Sequence, residues 1–362
     1  MTMRNAICFS LFAFVFATAQ AQFTPGNLAV LRIGDGAAAL ANTGNGTFID
    51  QYATSGSLVN SLSIPSTGSG ALVLSGTATA EGALARSSDG QYLTFYGYNR
   101  AVGGVGSVSA STGVPRVVAV VDYNQIYAAG PSTGTVFDGS NVRSAVTDGN
   151  NNFWGTGGAR GTFYAGNGPT NVIQTALTVN RTMNIVNGNL MFVNSSAATI
   201  GIQSFTGTPM TTASPTRIID TGAGSSPYDF AFNAAMTLAY IADDRAVSGN
   251  TAGGIQRWDF NGSTWGLTYV IDTGTVGARG LAVDFSGVNP VLYATTAESS
   301  LNRLVSYVDT GDGVTTTLAT AGANTIFRGL DFTPVQVPEP STFALLGIGG
   351  LAALLGRRKV RK

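Results

Sequence analysis

Apolar and polar positions alternate in short runs along this chain, and turn dipeptides break the runs at close intervals. Asn45-Gly46, Asp89-Gly90, Asp148-Gly149, Asn187-Gly188 and Asn261-Gly262 supply the positive-φ conformations that tight hairpins need. Stretches rich in Val, Ile, Tyr, Phe and Thr flank them, and long helical periodicity is missing. The pattern predicts an all-β domain.

The strands recur as a unit. An apolar anchor can be aligned at Leu84, Ala145, Ile185, Phe230, Leu281 and Leu330, at intervals of 61, 40, 45, 51 and 49 residues. Most of these match one four-stranded propeller blade of about 40 to 50 residues. A bulkier strand follows most anchors across a Gly, Asn, Asp or Ser turn: Tyr92 to Tyr96, Phe153-Trp154, Leu190 to Val193, Leu238 to Ile241 and Val291 to Ala294. Later strands, such as Gly254 to Asp259 and Leu304 to Asp309, are more polar, as suits strands that run from a packed axis outward to solvent. After Leu330 the last unit lacks three strands, and Leu28 to Ile33, Thr47 to Tyr52 and Leu58 to Ile64 are three strands without an inner anchor. Joining them closes a ring and removes two sheet edges. This predicts a β-propeller of six blades; the 61-residue interval and the run Ala71-Leu72-Val73-Leu74 leave room for a seventh. The competing architecture is a pair of tandem β-sandwiches.

Composition narrows the chemistry. Residues 22–336 contain no histidine, cysteine or lysine, and thirteen arginines face sixteen aspartates plus Glu81 and Glu298. The domain is net negative, so a basic nucleic-acid footprint is absent. The commonest general base and metal ligand, thiolate zinc sites and lysine Schiff bases are all excluded. Carboxylate chemistry and calcium stay open.

Three candidate features follow. Asp-Thr-Gly occurs at Asp220, Asp272 and Asp309; its recurrence within successive units reads as turn capping rather than as an aspartic-protease pair. Asp148 to Asn152 and Asp309 to Gly313 offer oxygens to calcium, but Phe153 stands where an EF-hand loop needs glycine and Ala159 where it needs glutamate. Asp243-Asp244 reads as a solvated turn. Arg143, Arg279 and Arg328 each lie two residues before an anchor, which places them near one mouth of the channel as ligand contacts for a carboxylate or sulfate of an acidic polysaccharide. The structural alternative pairs them with Asp229, Asp284 and Asp331. Trp154, Tyr164, Trp258 and Trp265 offer sugar-stacking faces or, on the safer reading, core packing.

The two ends carry an address. Arg4 precedes the apolar run Ala6 to Ala17, and Ala19-Gln20-Ala21 has the small-x-small form of a signal-peptidase site, so residues 1–21 read as a Sec leader. Cys8, the only cysteine, leaves with it. At the other end Val337-Pro338-Glu339-Pro340 precedes an apolar stretch built on Phe343, Leu345, Leu346, Ile348, Leu351, Leu354 and Leu355. Arg357, Arg358, Lys359, Arg361 and Lys362 follow. As a helix this stretch is about 20 to 24 Å long, short of a bilayer core of about 30 Å. That suits a transient membrane passage, with the basic tail cytoplasmic. Residues 337–362 resemble the PEP-CTERM sorting signal of Gram-negative bacteria that make extracellular polysaccharide. The resemblance implies processing by an exosortase, a membrane cysteine transpeptidase, then release from an inner-membrane intermediate to the envelope or matrix. Residues 22–336 would then be an exported, non-enzymatic surface or matrix domain associating with exopolysaccharide. The alternative is a carbohydrate-active enzyme or lectin using Asp carboxylates in the channel, and it needs two carboxylates about 5 to 10 Å apart in an open pocket.

If the leader reading is right, the exported chain begins at Gln22. Mass spectrometry of its N-terminal peptide checks this, and a peptide containing Ala19 would refute it.

Overall fold

The computed structural model describes residues 21–166, 169–247 and 253–336. These form six small sheets arranged as a six-bladed propeller, and no helix occurs among the described residues. Blade 1 runs from Ile326–Phe332 at the axis through Leu28–Ile33 and Thr47–Tyr52 to Leu58–Ser63. Blades 2 to 6 follow in chain order, with inner strands Ala85–Arg86, Val142–Thr147, Asn180–Val186, Pro227–Phe232 and Ala278–Asp284. The inner strands pack on one another around the axis. Tandem sandwiches are thereby excluded.

Closure occurs where the sequence places it. Leu28 pairs with Phe332, Ala29 with Asp331 and Val30 with Leu330 in an antiparallel ladder. Deriving the strand from the opposite end of the chain leaves no open blade in the ring. The run Ala71 to Leu74 is no seventh blade: Val73 and Leu74 make only isolated bridges, to Tyr98 and Asn45. Leu72 and Leu74 fill the seam between blades 1 and 2, and Val73 packs into the seam between blades 2 and 3. One feature is absent from the repeat pattern: Gly313–Val314, in the loop before the last strand of blade 6, adds a short parallel strand to blade 5 beside Trp265–Asp272.

Six apolar clusters occupy the six seams between blades. Period-two alternation explains them, since successive side chains of a strand face opposite neighbours. In Leu28–Ile33, Ala29 and Leu31 pack with Leu93 and Phe95 of blade 2, while Leu28 and Val30 pack with Tyr293 and Leu304 of blade 6. Tyr96 meets Phe137 and Phe163 between blades 2 and 3, and Phe232 meets Trp265 within blade 5 beside the seam with blade 4. Both faces of every inner sheet are therefore covered.

Buried polar side chains link neighbouring blades at the same seams. Asp331 accepts from the Arg86 amide at 2.8 Å, Thr94 donates to the Ala145 carbonyl at 2.8 Å, and Ser144 accepts from the Met183 amide at 3.0 Å. Arg181 donates to the Pro227 carbonyl at 2.7 Å, Asp229 accepts from the Leu281 amide at 3.0 Å, and Thr295 donates to the Arg328 carbonyl. Each seam thus has at least one directional bond near the axis as well as an apolar cluster.

Leu330 is 1% exposed at the closing ladder. Leu330→Ala should cost about 2–5 kcal/mol of unfolding free energy in urea, and deleting residues 22–64 should abolish the cooperative transition. A deletion variant with an unchanged melt would show that the ring does not depend on these strands.

Candidate functional site at the channel mouth

The inner strands of blades 3 to 6 and blade 1 share an irregularity near their first residues, where one chain has more residues than its partner. Such bulges turn a side chain away from the ladder. The residues at these points are Arg143, Arg181, Tyr228, Arg279 and Arg328. Blade 2, whose inner strand is only two residues long, presents Glu81 just before it. Arg181, Tyr228, Arg279 and Arg328 line one small cavity on the axis with Glu81 and Asp229.

Tyr228 is the platform of this group. The Arg181 guanidinium lies 3.6 Å from the centre of its ring and that of Arg279 5.3 Å away, a cation–π arrangement strengthened by burial. Arg181 also donates to the Pro227 carbonyl at 2.7 Å and the Ser226 hydroxyl at 3.1 Å. Arg143 donates to the Asn180 carbonyl at 3.1 Å, and Arg328 to the Gly76 carbonyl at 3.1 Å. The expected pairing with Asp229, Asp284 and Asp331 does not occur. Arg279 reaches Asp244 instead, at 3.4 Å, and Arg143 and Arg328 have no ion pair among the described residues. Asp229 and Asp331 are held by backbone amides across the seams, and Asp284 caps the Ser286 amide at 2.8 Å.

Burial sets the electrostatics. It lowers Arg143 to about 10, assisted by Arg181, and Arg328 to about 10, assisted by Arg279. It raises the carboxyls of Glu81 and Asp229 and pushes Asp331 up to about 6. Glu81 is nonetheless well held, by the Ser75 amide at 3.0 Å, the Tyr98 hydroxyl at 2.7 Å and the Ser109 hydroxyl at 2.6 Å.

The other candidate residues lie away from the axis. Asp220 and Asp272 cap Gly222 and Gly274 at 2.9 and 2.7 Å, each after the fourth strand of its blade, as the turn reading expects. Asp309 departs from it. Although it also accepts from the Gly311 amide at 3.3 Å, it follows a third strand. Its buried carboxylate also receives Arg257 at 2.6 Å and the hydroxyls of Tyr240 and Tyr269. Asp243 is not solvated either: it is fully buried, bonded to Arg245 at 2.8 Å and to the Ser226 amide at 2.8 Å. At the calcium candidate, the Asp148 oxygens accept from the Asn150 amide and the Asn152 side chain, both at 2.8 Å, so N–H donors occupy the positions a cation would need. No cluster of three or more carboxylates gathers among the described residues. Trp154 is fully buried, its indole on the Pro209 carbonyl at 2.7 Å, and Trp258 is 7% exposed; both are core residues. Tyr164 packs against Trp154.

Arg181 escapes the sequence alignment because the Ile185 anchor is two residues out of step; Met183 is the equivalent position, paired with Phe192 just after the bulge. The usable signal is Arg181 two residues before Met183. Glu81 was legible only as one of two glutamates in the domain.

Comparison with known proteins bears on the tail and on the fold. The C-terminal segment matches the PEP-CTERM protein-sorting motif over residues 336–361. The chain thus carries an exosortase-type sorting signal, which implies export and sorting to the cell envelope or beyond. Val337 to Pro340, the apolar stretch, the basic tail and Ala19 lie outside the described residues, and among the described residues no helix is long and apolar enough to cross a membrane. No curated protein matches the chain. Among solved structures, the Niastella koreensis GH74 enzyme is similar at 12% identity and TM-score 0.51, covering 80% of this chain and 46% of that one. A chain of a nidogen/laminin complex is similar at 11% identity and TM-score 0.52, covering 86% and 99%. Both likenesses concern the fold alone.

Asp331, in the seam between blades 1 and 2, gives the closed ring a pH signature. Its carboxyl rises from 3.8 to about 6 in the folded chain, so its stabilising contribution is complete below about pH 4 and is lost as pH rises through 6. Relative to Asp331→Asn, the native protein should therefore lose roughly 2–3 kcal/mol between pH 4 and 7. Urea titrations of both proteins across that range check this; a constant difference would contradict it.

Proposed function

We propose that this protein is a non-enzymatic, surface-displayed or matrix propeller. On this reading the leader directs it through Sec, the apolar tail holds it briefly at the inner membrane, and an exosortase-type enzyme acts at Pro338-Glu339-Pro340 to pass residues 22–336 to the envelope or extracellular polymer layer. The observation that carries the reading is the sorting motif at residues 336–361, a signal for location appended to a closed module. The state of the axial carboxylates supports the absence of turnover. Glu81 and Asp229 face the channel, yet Glu81 is engaged by an amide and hydroxyls and Asp229 by two amides, whereas a glycosidase's general acid must be free to exchange a proton and its nucleophile free to reach the anomeric carbon. The propeller fold itself is neutral on this point, since it hosts both enzymes and binding proteins.

Protein recovered from its native envelope should lack Phe343 to Lys362 by intact mass. Changing Pro338, Glu339 and Pro340 together to alanine should leave full-length chain in the inner-membrane fraction with an unchanged melting temperature. Native protein that keeps Arg357 to Lys362 would refute the processing step, and polysaccharide hydrolysis abolished by Asp229→Asn would refute the non-enzymatic role.

A further inference from the structure

The channel mouth holds more cationic donors than the described residues satisfy. Nε of Arg143, Arg181, Arg279 and Arg328, and Nη1 of Arg279 and Arg328, are buried without an acceptor among the described residues. Arg328 as a whole is only 3% exposed. A buried guanidinium N–H without an acceptor is costly, and here six such groups occur on neighbouring bulges of one ring. The nearby carboxylates do not relieve it. Glu81 is taken up by the Ser75 amide and two hydroxyls, Asp229 by the Phe230 and Leu281 amides, and Asp244 reaches Arg279 alone at 3.4 Å. The arginines also repel one another, and burial with that repulsion holds Arg143 and Arg328 down at about 10.

What complements such a group is a compact, acceptor-rich anion, because the guanidinium fork matches the spacing of oxygens on carboxylate, sulfate and phosphate. Size narrows the choice. The cavity leaves only about 20 Å³ for the centres of water-sized groups, little more than one water requires. That room takes the leading oxygens of one small oxyanion group, with the remainder at the open mouth; a sugar ring does not enter. Tyr228 gathers Arg181 and Arg279 beside its ring, and Nε of both and Nη1 of Arg279 are the N–H groups without an acceptor among the described residues.

We propose that Arg181, Arg279 and Arg328, backed by Arg143, form an oxyanion-binding site on the propeller axis, taking one sulfate, phosphate or carboxylate group as a free ion or as the charged substituent of a larger molecule at the mouth. The site is independent of whether the tail is processed.

Calorimetric titration of the exported protein with sodium sulfate, phosphate and acetate, at constant ionic strength set by sodium chloride, tests this. One saturable ion per chain is expected, with a melting temperature that climbs with sulfate concentration. Arg181→Gln and Arg279→Gln should each weaken sulfate binding at least tenfold, whereas Arg217→Gln, in an outer-strand ion pair with Asp220, should leave it unchanged. In chloride alone each variant loses a like charge from a crowded group but also the Pro227 and Ser226 bonds of Arg181 or the Asp244 pair of Arg279, so the deciding readout is the sulfate-dependent climb in melting temperature, which both variants should lose. Absence of saturable binding by all three ions overturns the proposal, as does an equal loss of melting temperature with and without sulfate, which would make the arginines structural. A glucuronate oligosaccharide that binds and is displaced by sulfate identifies a polymer-borne group as the source. Binding of the inorganic ions without the oligosaccharide identifies the free ion.

Discussion

The antiparallel ladder between Leu28–Ile33 and Ile326–Phe332 is the constraint on which the rest of the molecule depends. Every blade buries both faces against its neighbours, so an opened ring would expose two apolar faces, those carrying Leu28 and Val30 on one side and Tyr293 and Leu304 on the other. No blade in such an arrangement is stable by itself, because half of its core belongs to the next. Closure by residues about three hundred positions apart therefore couples all six seams into one cooperative unit.

The seam bonds near the axis and the bulges belong to one design. A narrow ring of inner strands leaves little space, and threonine, serine and aspartate satisfy backbone groups that the crowded strands cannot pair among themselves. Asp229 and Asp331 bond amides of the following blade, so each fixes the rotation of one blade against the next. The bulges then release single residues from the ladder and turn arginines toward the channel. A site assembled this way is rigid, since its side chains leave from the most constrained strands in the fold.

The sorting signal and the cationic axis are separated along the chain. The tail holds the sorting signal, while the closed domain, net negative over residues 22–336, concentrates cationic groups on its axis. Such an arrangement concentrates positive potential in a low-dielectric channel, where arginine is the side chain least able to discharge itself. The absence of lysine from residues 22–336 is consistent with planar, bidentate contacts rather than diffuse charge.

Local pattern determined the strands, their count per unit and the closing partner, because period-two alternation and turn dipeptides are short-range properties that burial on both faces reinforces. It determined the sorting signal too, a linear motif that needs no partner from elsewhere. The sequence also placed Arg143, Arg279 and Arg328 at equivalent positions, but not Arg181, since the bulge in Asn180–Val186 shifts the register by more than composition reveals. Only the tertiary structure decided what the charged residues meet. Asp243 and Asp309, written as ordinary turn residues, are buried in ion pairs, and Asp229 and Asp331 bond backbone amides rather than arginines. Those choices depend on the rotation of one blade against its neighbour, a distance of a few ångströms that no spacing along the chain encodes.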